Sequence, residues 1–152
     1  MKKNLIIFII TLVFLGCSSR NAFDHFSITA KQEFSENNIQ SSKIINDDVT
    51  NGTVSMIYLN RVSSETYKDA EYFYIYLFTK DQNLPLSFKL NGSDALMVKE
   101  LNSTNEFACL SLSHADWQKY YLVKFQEQGD ILKLVVQNGE FSSDAITFEK
   151  DE

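Results

Sequence analysis

Apolar residues in this chain recur at every second position, in short runs broken by polar turns. That period belongs to a β-strand, because successive strand side chains point to opposite faces. The strongest run is Glu71-Tyr72-Phe73-Tyr74-Ile75-Tyr76-Leu77-Phe78. It places Phe73, Ile75 and Leu77 on one face and Tyr72, Tyr74, Tyr76 and Phe78 on the other. Two apolar or amphipathic faces predict a central strand within residues 70–79. The same alternation predicts strands at 26–34, 52–62, 86–90, 95–101, 106–112, 119–127 and 145–148, and one around Leu132, Leu134 and Val136. Residues 35–51 read as a polar loop holding at most one short strand. Asn91-Gly92 and Asn138-Gly139 read as hairpin turns, since both residue types tolerate positive φ. Eight to ten short strands at regular spacing predict an all-β fold, an antiparallel β-sandwich first and a small antiparallel β-barrel as the alternative.

The first sixteen residues follow a different pattern. Met1-Lys2-Lys3-Asn4 is short and positive, and Leu5 to Leu15 is apolar except for Thr11. Eleven residues fall short of the roughly 20 that span a bilayer, and fit the core of a secretory leader. The run ends in Phe14-Leu15-Gly16-Cys17-Ser18-Ser19. This resembles the lipobox of bacterial lipoproteins in Gly16 and Cys17, with Phe14 and Leu15 bulkier than the family's usual residues. The resemblance implies cleavage before Cys17 and acylation of Cys17. It therefore implies a membrane anchor through acyl chains outside the cytoplasm, and Ser18 favours the outer over the inner membrane. Two or more acyl chains hold a protein stably where one does not. The expected organisation is a leader at 1–16, a lipidated tether at 17–25 and one all-β domain at 26–152. The tether, from Cys17 to Phe26, would span about 30 Å when extended.

Removing the 16-residue leader from 152 residues leaves 136, the size of one domain, and the loss of Lys2 and Lys3 lowers the formal charge from −6 to −8. An acidic chain without a Lys/Arg cluster disfavours nucleic acid, so no nucleic-acid partner is expected. With Cys17 acylated, Cys109 stands alone and reads as a small buried hydrophobe within Phe107-Ala108-Cys109-Leu110.

The segment Leu112-Ser-His114-Ala-Asp116-Trp117-Gln-Lys-Tyr120-Tyr121-Leu122-Val123 resembles the start of strand F in immunoglobulin-like sandwiches. There a Tyr bonds back to the preceding corner. Tyr120 or Tyr121 would hold that position. This likeness is one of architecture and carries no function.

The chemistry-bearing residues are sparse. His25 follows Asp24, and His114 lies two residues before Asp116, but no Gly-x-Ser-x-Gly elbow accompanies them. Aligning Asp47 to Gly52 on a calcium loop leaves Val49 at a ligand position and Tyr58 where the bidentate Glu belongs. No catalytic residue, metal ligand or cofactor is assigned. The residues marked for interaction are Tyr72, Tyr74, Tyr76 and Trp117, since aromatics are enriched in interfaces. The Tyr stripe reads more readily as the covered second face of a central strand, because its flanking residues look like core. Glu100-Leu-Asn102-Ser-Thr104 matches the bacterial N-glycosylation sequon, marking Asn102. The functional expectation is a non-catalytic protein-interaction or envelope-accessory lipoprotein with an envelope protein as partner. The alternative is a small-molecule or glycan binder, and an enzyme stands last.

Overall fold

The structure is a computed structural model that describes residues 34–35, 37–111 and 115–150. The leader, Cys17, the tether, His25, His114 and nearly all of the expected first strand at 26–34 lie outside the described residues. Phe34, its last member, is helical.

Ten strands form one antiparallel sheet: β1 (Ile39–Asn46), β2 (Val49–Tyr58), β3 (Glu71–Thr79), β4 (Leu86–Leu90), β5 (Ser93–Asp94), β6 (Met97–Leu101), β7 (Lys119–Phe125), β8 (Ile131–Asn138), β9 (Phe141–Ser143) and β10 (Ile146–Glu149). The spatial order is β5-β4-β8-β9-β1-β2-β3-β7-β6, with β10 paired to β8. The sheet curls into a half-barrel, which corrects the expected two-sheet sandwich. The joint is β9: it pairs with β8 through Gln137–Ser142 and Asn138–Phe141, and with β1 through Ile44–Ser143 and Ile45–Ser142. Hydrogen bonding therefore runs on where a sandwich would have a gap. Ser143 makes the corner: its Oγ accepts from the Val136 N–H at 3.0 Å, replacing a ladder carbonyl.

Two apolar clusters result. The concave face gathers Ile44, Val54, Met56, Phe73, Ile75, Leu77, Val123, Phe125, Leu132, Leu134 and Val136. Phe88 of β4 and Tyr121 of β7 meet across this interior with ring centroids 5.5 Å apart. The convex face of β2, β3 and β7 carries Ile57, Tyr74, Tyr76 and Tyr120, covered by Leu59, Phe107 and Leu110. β3 is central, as its two apolar faces predicted, with β2 and β7 on either side.

Other segments depart from expectation. Asn46 pairs with Val49 around Asp47, whose φ is +48°, so the polar stretch at 35–51 contains a hairpin. The register slips at Ile44/Ile45, leaving Asn51 as an extra residue that bulges inward. Gly52 is required beside it, because a Cβ would sit 2.0 Å from the Phe78 carbonyl oxygen. Residues 59–62 of the expected 52–62 strand form a helical turn. Residues 108–110 form a 3₁₀ turn instead of a strand. Asn91-Gly92 turns as predicted, with φ of +47° and +85°. Its returning strand, however, stops after Ser93–Asp94, and Met97–Leu101 pairs with β7 instead.

Polar networks close both ends of the concave core. At one end Asn51 donates to Asn138 Oδ1 at 2.7 Å, and Asn138 donates to the Leu84 carbonyl at 3.2 Å. At the other end Glu71 is 1 % exposed. One carboxylate oxygen accepts from the Tyr58 hydroxyl at 2.6 Å, and the other from the Gln128 N–H at 2.9 Å and Lys150 Nζ at 2.6 Å. Removing one partner of a buried pair leaves an uncompensated charge, which costs about 3–5 kcal/mol. Lys150→Met should therefore lower the unfolding free energy by about 3 kcal/mol in urea titration. Glu71→Gln with Lys150→Met together should cost less than the sum of the two single substitutions.

Candidate functional site

Four places on the molecule could carry function, and their geometry separates them. The tyrosine stripe is the first. Tyr74 and Tyr76 are buried, with Phe107 5.2 Å from the Tyr74 ring and Tyr120 stacked 6.3 Å from it. Asn105 reaches the Tyr74 hydroxyl at 3.4 Å, and Ser111 the Tyr76 hydroxyl at 3.3 Å. These two rings therefore offer no surface to a partner. The cover comes from segments 59–70 and 101–111, whose docking leaves no mark in the β3 sequence. Tyr72 is half-buried beneath Lys124, whose ammonium lies 5.0 Å from the ring centroid. Its hydroxyl donates to Asp69 at 3.0 Å, and that bond, with Lys124, holds the Asp69 carboxyl below its ordinary range.

The second place is the Glu71 end of the half-barrel. A hollow of about 260 Å³ there is lined by Tyr58, Arg61, Lys68, Glu71, Glu127 and Lys150 among others. Sequence reasoning did not find it, because its members come from three stretches of chain: 58–71, Glu127 and Lys150. Glu71 has every oxygen engaged, and burial together with the Glu71 bond pushes the Tyr58 phenol upward. These bonds tie three segments to the carboxylate, and Glu71 is 1 % exposed, so they do structural work.

The third is the sheet edge at β6. β6 pairs with β7 on one side, and no described strand pairs with its other side. Leu96, Met97 and Val98 are 64 %, 37 % and 49 % exposed. Val98 lies opposite Val123 and Glu100 opposite Tyr121, so both share the concave side with Leu96. Met97, Lys99 and Leu101 take the convex side. An open, apolar edge strand is one that proteins normally shield, because its unpaired N–H and C=O groups template another strand. Here only Lys99 and Glu100 interrupt it.

The fourth is Trp117. It is 59 % exposed and meets Phe78 perpendicularly, with ring centroids 5.3 Å apart. Just after it Tyr120 forms the expected corner: its hydroxyl accepts from the Ala115 N–H at 2.8 Å and donates to the Ala115 carbonyl at 3.0 Å. The corner thus occurs in a curled single sheet. Asn102 is exposed on the neighbouring loop, and its Oδ1 accepts from Thr104 at 3.3 Å.

Cys109 is exposed, a correction to its expected burial, because the 3₁₀ turn points it outward. Its thiol lies 3.7 Å from the Glu106 carbonyl, and no cation is among its contacts there. Among the described residues no cluster of three His, Cys, Asp or Glu side chains could hold a metal ion. The chain matches no family model, no curated protein and no solved structure.

Burial has a titration consequence. It pushes the Tyr74 phenol up to about 12, and it pushes Tyr121 up to about 12 with help from Glu100. The folded state holds these protons longer than the unfolded chain, whose tyrosines ionise near 10. That stabilisation is complete below pH 10 and is lost as pH rises through about 12. The midpoint of thermal unfolding should therefore fall steeply above pH 10, and tyrosinate absorbance should rise together with the loss of structure. Tyr74→Phe should flatten the fall; an unchanged alkaline profile in that variant would count against the coupling.

Proposed function

We propose that this chain is a lipid-anchored envelope lipoprotein that binds a protein partner by strand addition at β6. The observation that carries the reading is the open β6 edge with Leu96, Met97 and Val98 exposed in succession. Strand addition draws affinity from main-chain hydrogen bonds and specificity from alternate side chains. The expected occupant is an extended partner segment with apolar residues at alternate positions. One set would cover Leu96 and Val98 at the mouth of the half-barrel, and the other would lie beside Met97. Lys99 and Glu100 present opposite charges on opposite faces of the strand, which would select both the facing and the register of the incoming segment.

The anchor rests on the leader pattern ending at Cys17. The first described residue, Phe34, follows Cys17 by seventeen positions, a reach of at most about 60 Å. The partner segment would therefore lie near the membrane surface that holds the acyl chains.

Two experiments test the two halves separately. Labelled palmitate should enter the wild-type protein and be lost in Cys17→Ala; label persisting in the variant would refute the anchor. A photo-crosslinking residue at position 98 should give one discrete adduct in native envelopes, absent when it is placed at exposed Lys133 on β8. Adding Met97→Glu should abolish that adduct. An adduct containing only a second copy, or the chain's own segment before Phe34, would replace the envelope partner with that occupant.

A further inference from the structure

We propose a second, independent site: a saccharide-binding subsite in which a pyranose ring stacks on Trp117. It does not depend on the β6 edge reading, and it gives the site, ligand class and contacts for a glycan-binding role.

Trp117 is held against Phe78 from one side, and more than half of it remains in solvent. Burying an indole is favourable, so one left this open beside a hollow is available to a ligand face. The adjoining hollow measures about 290 Å³, the lower end of the ligand-pocket range, and suits one or two sugar rings. Its wall is largely polar: Gln82, Asn102, Ser103, Asp116 and Lys119 border it with Trp117. Several of these groups have hydrogen-bonding capacity to spare. Asp116 uses one oxygen to accept from Ser103 at 3.0 Å, and among the described residues its second oxygen, the Asn102 amide nitrogen and the Gln82 amide have no partner.

A pyranose presents the matching chemistry. Its ring carries an apolar C–H face that packs on an aromatic plane, and a rim of hydroxyls that both donate and accept. Amides and carboxylates complement that rim, since one amide side chain supplies both a donor and an acceptor. Other ligand classes fit less well. A phosphorylated ligand would meet Asp116 and Glu100 with only Lys119 to offset them. A quaternary ammonium is usually held by a cage of several rings, and here the lining has Trp117 exposed and Tyr120 buried, with Lys119 on its wall.

The chain's single tryptophan makes the test direct, because its emission reports this site alone. The protein purified in detergent from its host envelopes would be titrated with chitotetraose, cellotetraose, maltotetraose and choline. At least one oligosaccharide should shift Trp117 emission to the blue with saturation in the millimolar range or below. Gln82→Ala removes a side chain with no partner among the described residues, so it should leave the free spectrum unchanged and weaken binding about fivefold or more. Trp117→Ala, followed by amide chemical shifts, should abolish binding while the rest of the spectrum persists. No saturable change with any oligosaccharide up to 10 mM would overturn the proposal, as would a response to choline alone or binding retained in Trp117→Ala. A hexosamine adduct on Asn102 in the intact mass would also overturn it as a site for free ligand, since that glycan would fill the hollow. None of these failures would remove a crosslink at β6, so the two readings stand or fall separately.

Discussion

The buried carboxylate of Glu71 is the tie on which this half-barrel depends. It sits at the start of the central strand and receives bonds from three other places: the end of β2 through Tyr58, the β7–β8 turn through Gln128, and the residue after β10 through Lys150. A curled sheet that does not close has no complete ring of ladder bonds to hold its ends together. One acceptor reaching three other segments supplies part of that closure. A carboxylate in this position is costly unless every oxygen is satisfied, and here both are. The Asn51–Asn138 pair performs a neutral version of the same task at the opposite end. Between the two networks the concave core is mainly apolar and aromatic, and its buried Ser143 is spent on the Val136 N–H.

The covered convex face explains why the aromatic content is not a surface. β3 spends Phe73, Ile75 and Leu77 on the concave core and Tyr74 and Tyr76 on a second one. The second core exists because the connections after β2 and β6 fold back over the sheet instead of crossing solvent. Tyr is well suited to it: the ring packs, and the hydroxyl finds Asn105 or Ser111 at the margin. Trp117 lies past the end of this cover, where Phe78 closes the row, and stays exposed.

Much of the fold was legible because alternation reports directly on strands. The central place of β3, the turn at Asn91-Gly92 and the Tyr120 corner all follow from local residue chemistry. What alternation does not encode is the neighbour on each side. A strand with one apolar face looks the same in a sandwich and in a curled sheet, and the deciding contact, β9 with β1, involves Ser142 and Ser143, which carry no apolar signal. The hairpin at Asp47 was hidden by its polar strand β1, in which Ile44 alone is fully buried. The run at 106–112 looked like a strand because Phe107 and Leu110 are apolar, yet their spacing of three suits the 3₁₀ turn that they form. Of the candidate site residues, Trp117 and Asn102 were identifiable by type, whereas the β6 edge depended on a pairing choice that no local pattern states.

That choice also links the two proposed surfaces. After Asn91-Gly92 the chain could have extended β5 along β4, as the alternation at 95–101 suggests. It pairs for two residues only, then crosses through Ala95-Leu96 to β7 at the other end of the sheet. Three Cα steps join Asp94 to Met97, so the two ends of the curl lie within about 11 Å of each other there. The crossing leaves β4 with a short partner and β6 with an open side, and it brings Leu101 and Asn102 beside Trp117. A longer β5 would have shielded β4, left β7 as the edge and removed one wall of the Trp117 hollow. The early departure of a single strand thus creates both the apolar edge and the polar recess next to it.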